Sequence, residues 1–204
     1  MRNLILEGVR YYAMHSHLLL LTTVIYYGLV FGIGLIVSLM PGGREIQAAV
    51  MNEAVQGVTT GFPGLLQAYM NNPVVAVAYT FIINLVVGTM LWITLPGLIF
   101  FPLAPLAAFY RAFAWGIIFA PTDIPLFVRA LPTVLAEGFG YILAVVPSVR
   151  LGLAWLVPKR AYQEKPLTRV QALRKAFAEL GPAYLIVALT LLAAAIIEVA
   201  STRF

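Results

Sequence analysis

Four charged side chains stand inside stretches of the sequence that are otherwise apolar. Glu137 and Arg150 lie within residues 132–157, and Arg111 and Glu198 lie in two further apolar runs. A charge in hydrocarbon costs several kcal/mol, so such groups are retained where they have a partner, contact with water or a task. Two carboxyls near one another can share a proton, hold a cation, or clamp a segment by accepting amide hydrogen bonds.

The motifs of common catalytic sites are missing from the sequence. It contains no GxxxxGKS or GxxxxGKT phosphate loop, no GxSxG nucleophile turn and no HExxH zinc pair. There is no cysteine, and the two histidines, His15 and His17, are two residues apart and so point to different faces of a helix. These absences predict a non-enzymatic protein with no metal or cofactor, in which both histidines lie at the membrane interface.

Composition indicates the class of protein. Hydrophobic residues make up 62% of the 204 positions and charged residues 10%, and the mean hydropathy is +0.94. Soluble domains carry about 25% charged residues and a smaller apolar share. The net charge of +5 is concentrated in two short segments beside apolar runs, which is typical of cytoplasmic loops. The sequence therefore predicts an all-α, polytopic helical membrane protein of one domain, residues 1–204, that binds no nucleic acid.

Five runs are predicted as membrane spans, because a helix needs about 20 residues to cross about 30 Å of hydrocarbon. They cover residues 18–40, 74–93, 103–120, 132–157 and 182–200. Asn72 and Pro73 predict the start of the second span, since asparagine caps free amides and proline is tolerated in the first helical turn. Pro96, Pro102 and Pro105 predict a turn with a proline-broken or re-entrant helix between the second and third spans.

Segments of mixed polarity predict amphipathic helices on the membrane surface, at residues 2–15, 44–57 and 168–180. In the last of these, Thr168 and Gln171 predict a capping box. Gly181 and Pro182 are expected to end this helix before the fifth span opens. Residues 121–131 are too short to cross, and they predict an external turn or a shallow re-entrant piece.

Basic residues near the span ends predict the orientation of the chain. Excess lysine and arginine in short loops favours the cytoplasmic side. We therefore expect a cytoplasmic N-terminus, an external C-terminus and a place in the plasma membrane. The expected partners are the lipid bilayer, other membrane proteins and a second copy of the chain. Five cations are candidates for contact with a protein partner or with lipid headgroups: Lys159, Arg160, Arg169, Arg174 and Lys175.

The predicted topology assigns a depth to each member of an intramembrane polar core. Spans one, three and five run outward and spans two and four run inward, which places Glu137 and Glu198 at similar height toward the outer side. Arg111 and Arg150 then fall together in the inner third, with Asn84 between the two pairs. We expect the glutamates to be paired with backbone or with each other, and the arginines to reach toward headgroups.

Gly28 and Gly32 stand four residues apart in the first span, with Gly34 close by. Small residues at this spacing let a second helix approach closely. The helix-packing face of Gly28 and Gly32 is expected to contact another helix of the same chain, which is the favoured interpretation, or a helix of a second copy.

A set of short motifs follows in order along the last two-thirds of the chain. Asn71-Asn72 opens a span, a proline-rich pair of helices comes next, and Pro132-x-x-x-x-Glu137 follows. Arg150-Leu151-Gly152 then leads to an alanine-rich last span that closes on Ala195-Ile196-Ile197-Glu198, with Thr202 beyond. In order and spacing these motifs resemble the stage II sporulation protein M family of bacterial and archaeal membrane proteins. Where that family typically has histidine and glycine after the proline, this chain has Thr133 and Val134.

The resemblance implies a non-enzymatic integral membrane protein. Sporulation members of that family help to recruit and anchor a peptidoglycan-degrading complex, and the general part of this role is expected here: a scaffold or anchor for a membrane-associated complex. A membrane permease or channel component is the alternative, in which Glu137 and Glu198 bind a cation or proton beside proline-broken helices. Carboxyls that line an open cavity would favour transport, and a dry, hydrogen-bonded pair would favour the scaffold.

Overall fold

The computed structural model describes residues 2–61, 64, 67, 71–162 and 167–203. Within these residues short connections join helices, and there is no strand, so the all-α prediction is confirmed. The helices are α1 (Arg2–Met14), α2 (Ser16–Leu39), α3 (Gly43–Gly61), α4 (Pro73–Ile99), α5 (Leu103–Ile118), α6 (Ile124–Leu156), α7 (Pro158–Ala161) and α8 (Arg169–Arg203).

Four helices are long and apolar enough to cross a membrane, namely α2, α4, α6 and the Arg169–Ser201 part of α8. The prediction of a polytopic helical membrane protein is therefore confirmed. The third predicted span, residues 103–120, is shorter than expected. Its helix, α5, has 16 residues and measures about 24 Å, against a hydrocarbon core of about 30 Å.

The central helix of the bundle is α6. Asp123 caps it by accepting a hydrogen bond from the Leu126 amide at 3.0 Å, so the helix begins at Ile124, eight residues before the predicted span. Residues 121–131 are thus mostly the first turns of α6, and the separate external turn or re-entrant piece predicted there is wrong. Every residue from 141 to 149 is buried, which is the pattern of a helix packed on all sides.

The middle of α4, Ile83–Thr94, is π-helical. Pro96 lies just beyond this segment and has no N–H to donate to the preceding turn. The wider turns place Asn84 on the buried face of α4, together with Gly88, Thr89 and Ile93. The broken helix predicted from the prolines is therefore a widened one that continues to Ile99, and the turn to α5 covers residues 100–102.

The backbones of α2 and α5 approach closely at Gly34 and Gly116, and not at the predicted face of Gly28 and Gly32. A Cβ on Gly116 of α5 would lie 2.8 Å from the Val30 carbonyl oxygen, and one on Gly34 would lie 3.2 Å from the Gly116 carbonyl oxygen. No described atom outside the backbone of α2 itself lies within 4 Å of a Cβ built on Gly28 or Gly32. Among the described residues, the favoured interpretation of Gly28 and Gly32 as a contact within the chain is therefore wrong. Their contact with a second copy stays a prediction.

One continuous helix, α8, runs through Gly181 and Pro182, where the sequence predicted an end. At this point α1 crosses it, and a Cβ on Gly8 would lie only 2.5 Å from the Pro182 carbonyl oxygen. The Tyr12 hydroxyl bonds to the carbonyl oxygens of Leu143 at 3.1 Å and Ala183 at 3.2 Å. Tertiary contact therefore supports the helix where proline removes a backbone hydrogen bond, and it anchors α1 to the bundle.

Both predicted helix caps are confirmed. Asn72 Oδ1 accepts hydrogen bonds from the amides of Val74 and Val75 at 2.9 and 3.3 Å. The Thr168 amide donates to Gln171 Oε1 at 3.1 Å, and the Gln171 amide donates to Thr168 Oγ1 at 3.3 Å. These caps satisfy backbone donors that have no partner in the first turn of a helix.

Candidate functional site

The first polar cluster, called the carboxyl network, consists of Arg111, Tyr141, Asn84, Glu137 and Glu198. Arg111 Nη2 donates a hydrogen bond to the Tyr141 hydroxyl oxygen at 2.7 Å. The Tyr141 hydroxyl donates to Asn84 Oδ1 at 2.7 Å, and Asn84 Nδ2 donates to Glu137 Oε1 at 2.7 Å. The bonds run in one direction from a guanidinium to a carboxyl, and the members of such a chain polarise and strengthen one another.

Helix geometry and burial hold this network in place. Glu137 and Tyr141 are four residues apart on α6 and therefore share a face. Asn84 meets them from the π-helical part of α4. The exposed fractions of Glu137, Asn84 and Tyr141 are 5%, 6% and 0%. Polar groups at this depth are stable when they bond to one another, since an unpaired group would carry its full desolvation cost.

Glu198 completes the network from α8 through a hydrogen bond with Glu137. Glu198 is half-buried. The structure therefore brings together the two glutamates to which the sequence assigned a similar height.

Arg111 belongs to the carboxyl network. The prediction that its side chain extends toward headgroups is therefore wrong. Its guanidinium carbon lies 4.1 Å from the ring centroid of Tyr141 and 5.5 Å from that of Trp115. These distances allow a cation–π interaction, which favours a cation removed from water. Arg111 is also not level with Arg150, which lies nine residues beyond Tyr141 on α6, or about 14 Å along the axis.

Three buried polar atoms near the carboxyl network have no hydrogen-bond partner among the described residues. They are Tyr26 Oη, Thr133 Oγ1 and Arg111 Nε. Thr133 lies one helical turn before Glu137. A Cβ on Gly138, next to Glu137, would lie 3.0 Å from Tyr26 Cε1. Such atoms have unused capacity to bind a water molecule or an ion.

The second polar cluster, called the basic cluster, consists of Arg150, Glu179, Lys175 and Tyr162. Arg150 Nη2 lies 3.9 Å from Glu179 Oε2, and Lys175 Nζ lies 4.0 Å from Glu179 Oε1. The Tyr162 hydroxyl donates a hydrogen bond to Glu179 Oε2 at 2.9 Å. Both cations also lie over the Tyr162 ring, Arg150 at 4.8 Å and Lys175 at 4.3 Å from the centroid. Arg150 thus belongs to a different site from the other four predicted members of the polar core.

Burial determines the ionisation of the groups around the basic cluster. It raises the pKa of Tyr11 and of Tyr162, and the hydrogen bond to Glu179 raises the pKa of Tyr162 further, so both phenols stay protonated. Burial lowers the pKa of His15. His15 Nδ1 lies 2.8 Å from the Tyr11 carbonyl oxygen, which fits a neutral ring that donates from Nδ1.

A cavity of 1220 Å³ opens beside the basic cluster, between α1, the end of α6, α7 and the first turns of α8. Two of the predicted contact residues, Arg160 and Lys175, line this cavity. The other three, Lys159, Arg169 and Arg174, are exposed and lie outside it. A second cavity of 400 Å³ lies beside the turn between α2 and α3. Neither cavity is lined by a member of the carboxyl network.

The sequence analysis missed Tyr141 and Glu179. Tyr141 joins Arg111 to Asn84 within the carboxyl network. Glu179 contacts the other members of the basic cluster. Each has a signal at helical spacing, because Tyr141 follows Glu137 by four residues and Glu179 follows Lys175 by four. Side chains at this spacing meet on one helix face. An apolar span that carries a charge is therefore best searched for polar side chains one turn away.

Comparisons of the chain with protein-family models, with curated proteins and with solved structures found no match. The resemblance to the stage II sporulation protein M family stays a prediction that rests on the motifs quoted above.

Proposed function

We propose that the chain is a non-enzymatic membrane scaffold or anchor for a membrane-associated complex, as its resemblance to the stage II sporulation protein M family implies. The observation that supports this proposal is the carboxyl network, whose hydrogen bonds join α4, α5, α6 and α8. Hydrogen bonds among four helices fix the positions of these helices relative to one another. Their outward surfaces are then free to hold a partner.

Burial of the carboxyls favours the scaffold over transport. Glu137 is buried and bonded to Asn84 and Glu198, and neither the 1220 Å³ nor the 400 Å³ cavity reaches it. A transport site must exchange its ion with water on each side of the membrane. Carboxyls that contact one another away from these cavities instead fix the positions of their helices.

The scaffold proposal is tested by cross-linking from the exposed face of α2, where Gly28 and Gly32 leave room for a helix. A photoreactive probe is attached to a single cysteine, Gly28→Cys, in cells that produce the chain. We expect one cross-linked product of defined mass, and twice the mass of the chain would identify a second copy as the partner. Leu106→Cys, on the exposed side of α5, is the matched control. Absence of a product from Gly28→Cys, or the same products from both variants, would contradict the proposal.

The proposed place is the plasma membrane, with the N-terminus in the cytoplasm and the C-terminus outside. Because the chain has no cysteine, single cysteines report orientation cleanly. Thr60→Cys in α3 is expected to react with a membrane-impermeant maleimide on intact cells, whereas Thr168→Cys is expected to react only after permeabilisation. The reverse pattern would invert the topology.

A permease or channel component is the second candidate function. It is favoured by the contact of the two carboxyls, Glu137 and Glu198, and by the buried Tyr26 and Thr133 oxygens without a described partner. Proteoliposomes that contain a pH-sensitive dye distinguish the two functions. The scaffold predicts equal proton leak for the wild-type chain and for Glu137→Gln, and a flux that Glu137→Gln abolishes would favour transport.

A further inference from the structure

The basic cluster borders the 1220 Å³ cavity, and the two together have the features of a ligand site. Four cations line the cavity, Arg10, Arg150, Arg160 and Lys175, together with the carboxylates Glu7 and Glu179. They come from α1, α6, α7 and α8, so helices distant in sequence converge on one space. A pocket for a small molecule commonly measures about 300–1000 Å³, and this cavity can hold a headgroup with part of its tails.

Among the described residues that line this cavity, cations outnumber carboxylates. Glu179 is already bound by Tyr162 and lies between Arg150 and Lys175. Arg10 and Arg160 form no ion pair with any residue that the structure describes, and both are exposed. Arginine presents a planar fork of donors that matches a phosphate group. Among the residues that the structure describes, the cavity therefore has two guanidinium groups outside any ion pair, and four cations against two carboxylates.

Two tryptophans place the cavity at headgroup level. Trp155 lies five residues beyond Arg150 on α6, and its exposed fraction is 43%. Trp92 of α4 is 50% exposed and lies at the same end of the bundle, because Thr94 Oγ1 is 2.7 Å from Ser148 Oγ. Exposed tryptophan is enriched where hydrocarbon meets headgroups. A ligand in this cavity would thus have its charged part at the membrane surface.

Apolar residues at the same cavity distinguish a lipid from a free anion. Met14 and Leu167 line the cavity, and Met14 is exposed. Val9, on the neighbouring turn of α1, is exposed as well. Exposed apolar side chains beside guanidinium groups match an amphiphile that has a phosphate and acyl chains. An inorganic anion would use only the charged part of this surface.

We propose that this cavity binds the phosphate headgroup of an anionic membrane phospholipid, with Arg10 and Arg160 as its ligands from two sides and Arg150 at its base. The acyl chains lie along the apolar side of α1. The site is separate from the carboxyl network, so it holds whether or not the chain acts as a scaffold.

The test is a titration of the purified, delipidated chain in maltoside micelles with phosphatidylglycerol, phosphatidylcholine or sodium phosphate, each at the same concentration. Thermal unfolding reports binding, since a ligand of the folded state raises the midpoint. Native mass spectrometry counts the lipid that remains bound. We expect phosphatidylglycerol to raise the midpoint and to be retained as one molecule, and we expect phosphatidylcholine and sodium phosphate to do neither.

The double variant Arg10→Gln/Arg160→Gln is expected to weaken phosphatidylglycerol binding about tenfold or more, the effect of losing charge-assisted hydrogen bonds. The matched control Arg169→Gln/Arg174→Gln removes the same charge from exposed positions outside the cavity, and its affinity is expected to stay within about twofold of the wild type. Arg10→Gln alone against Arg169→Gln alone repeats the comparison if a double variant folds poorly.

Three outcomes would overturn the proposal. Equal loss of affinity in both double variants would mean that net charge, and not this cavity, attracts the lipid. Equal binding of phosphatidylcholine would remove the requirement for an anionic lipid. A midpoint shift with sodium phosphate that matches the shift with phosphatidylglycerol would identify the ligand as a soluble anion.

Discussion

The carboxyl network and the basic cluster use the same kinds of side chain in different surroundings. Each joins an arginine, a tyrosine and a glutamate by hydrogen bonds and a cation–π contact. In the first, Tyr141 and Glu137 are buried. In the second, the side chains of Arg150 and Glu179 are 17% and 27% exposed and border an open cavity. Bonds of the first kind fix helices, whereas groups of the second kind stay available to a ligand.

The largest difference is expected when one carboxyl is removed from each site. Glu137→Ala leaves the Asn84 amide and Glu198 without their buried partner, and it should lower the free energy of unfolding by about 3 kcal/mol or more. Glu179→Ala removes partly exposed ion pairs and should cost about 1 kcal/mol. Unfolding by sodium dodecyl sulfate in mixed micelles measures both variants. Equal costs would show that burial does not separate the two sites.

The next largest effect on stability is expected from filling a close backbone contact near the basic cluster. A Cβ on Gly152 would lie 2.1 Å from the Gly97 carbonyl oxygen and 2.9 Å from Phe101 Cβ. Gly152→Ala therefore forces α4 and α6 apart and should cost about 3 kcal/mol, near the upper end for overpacking. Gly28→Ala, with no described atom of another helix within 4 Å, is the control and should not lower the free energy of unfolding, because alanine is the better helix former. The same detergent titration checks this pair, and similar values for both would contradict the packing described for Gly152.

Removing one hydroxyl from each site sharpens the comparison with minimal change in shape. Tyr141→Phe deletes the bond to Asn84 and the bond from Arg111. It should cost about 2 kcal/mol because Asn84 stays buried and Arg111 half-buried without that partner. Tyr162→Phe deletes one bond to Glu179 and should cost about 1 kcal/mol or less. Differential unfolding of the two variants in parallel is the measurement. A larger cost for Tyr162→Phe would reverse the roles assigned to the two sites.

The smallest effect concerns pH at the edge of the basic cluster. Burial lowers the pKa of His15 below its ordinary value, with Arg150 acting in the same direction and with the Tyr11 carbonyl and Glu179 opposing the shift. The unfolded chain then binds the proton more readily, so stability falls as the pH drops below about 6.5. Between about pH 7 and pH 5, the unfolding midpoint of His15→Gln should fall less than that of the wild type. His17→Gln, at an exposed position, should behave as the wild type; equal slopes in all three proteins would contradict the assignment.

The helices and their caps were predictable because they depend on local chemistry. Asn72 and Thr168 cap helices as their types and spacing predict, and apolar runs mark the long helices. The end expected at Gly181 and Pro182 was wrong, because the local preference of proline was outweighed by the crossing of α1 at Gly8. The π-helical segment has no signature that the sequence analysis used, so the position of Asn84 had to come from the structure.

The contact of Glu137 with Glu198 followed from counting depth along helices of alternating direction. The same count failed for the arginines. It placed Arg111 and Arg150 at one height, but the hydrogen bond and ring of Tyr141 draw Arg111 into the carboxyl network. Depth along a span predicts which groups can meet. The partners of Arg111 are Tyr141 and Trp115, which are uncharged and were therefore not among the candidate residues.

The unbroken course of α8 gives the two sites a common mechanical element. Glu179 and Glu198 stand on this one helix, 19 residues apart, or about 28 Å along the axis. The helix continues through Pro182, where α1 packs against it at Gly8. We therefore expect a substitution that displaces its basic end to disturb the contact of Glu137 with Glu198 as well.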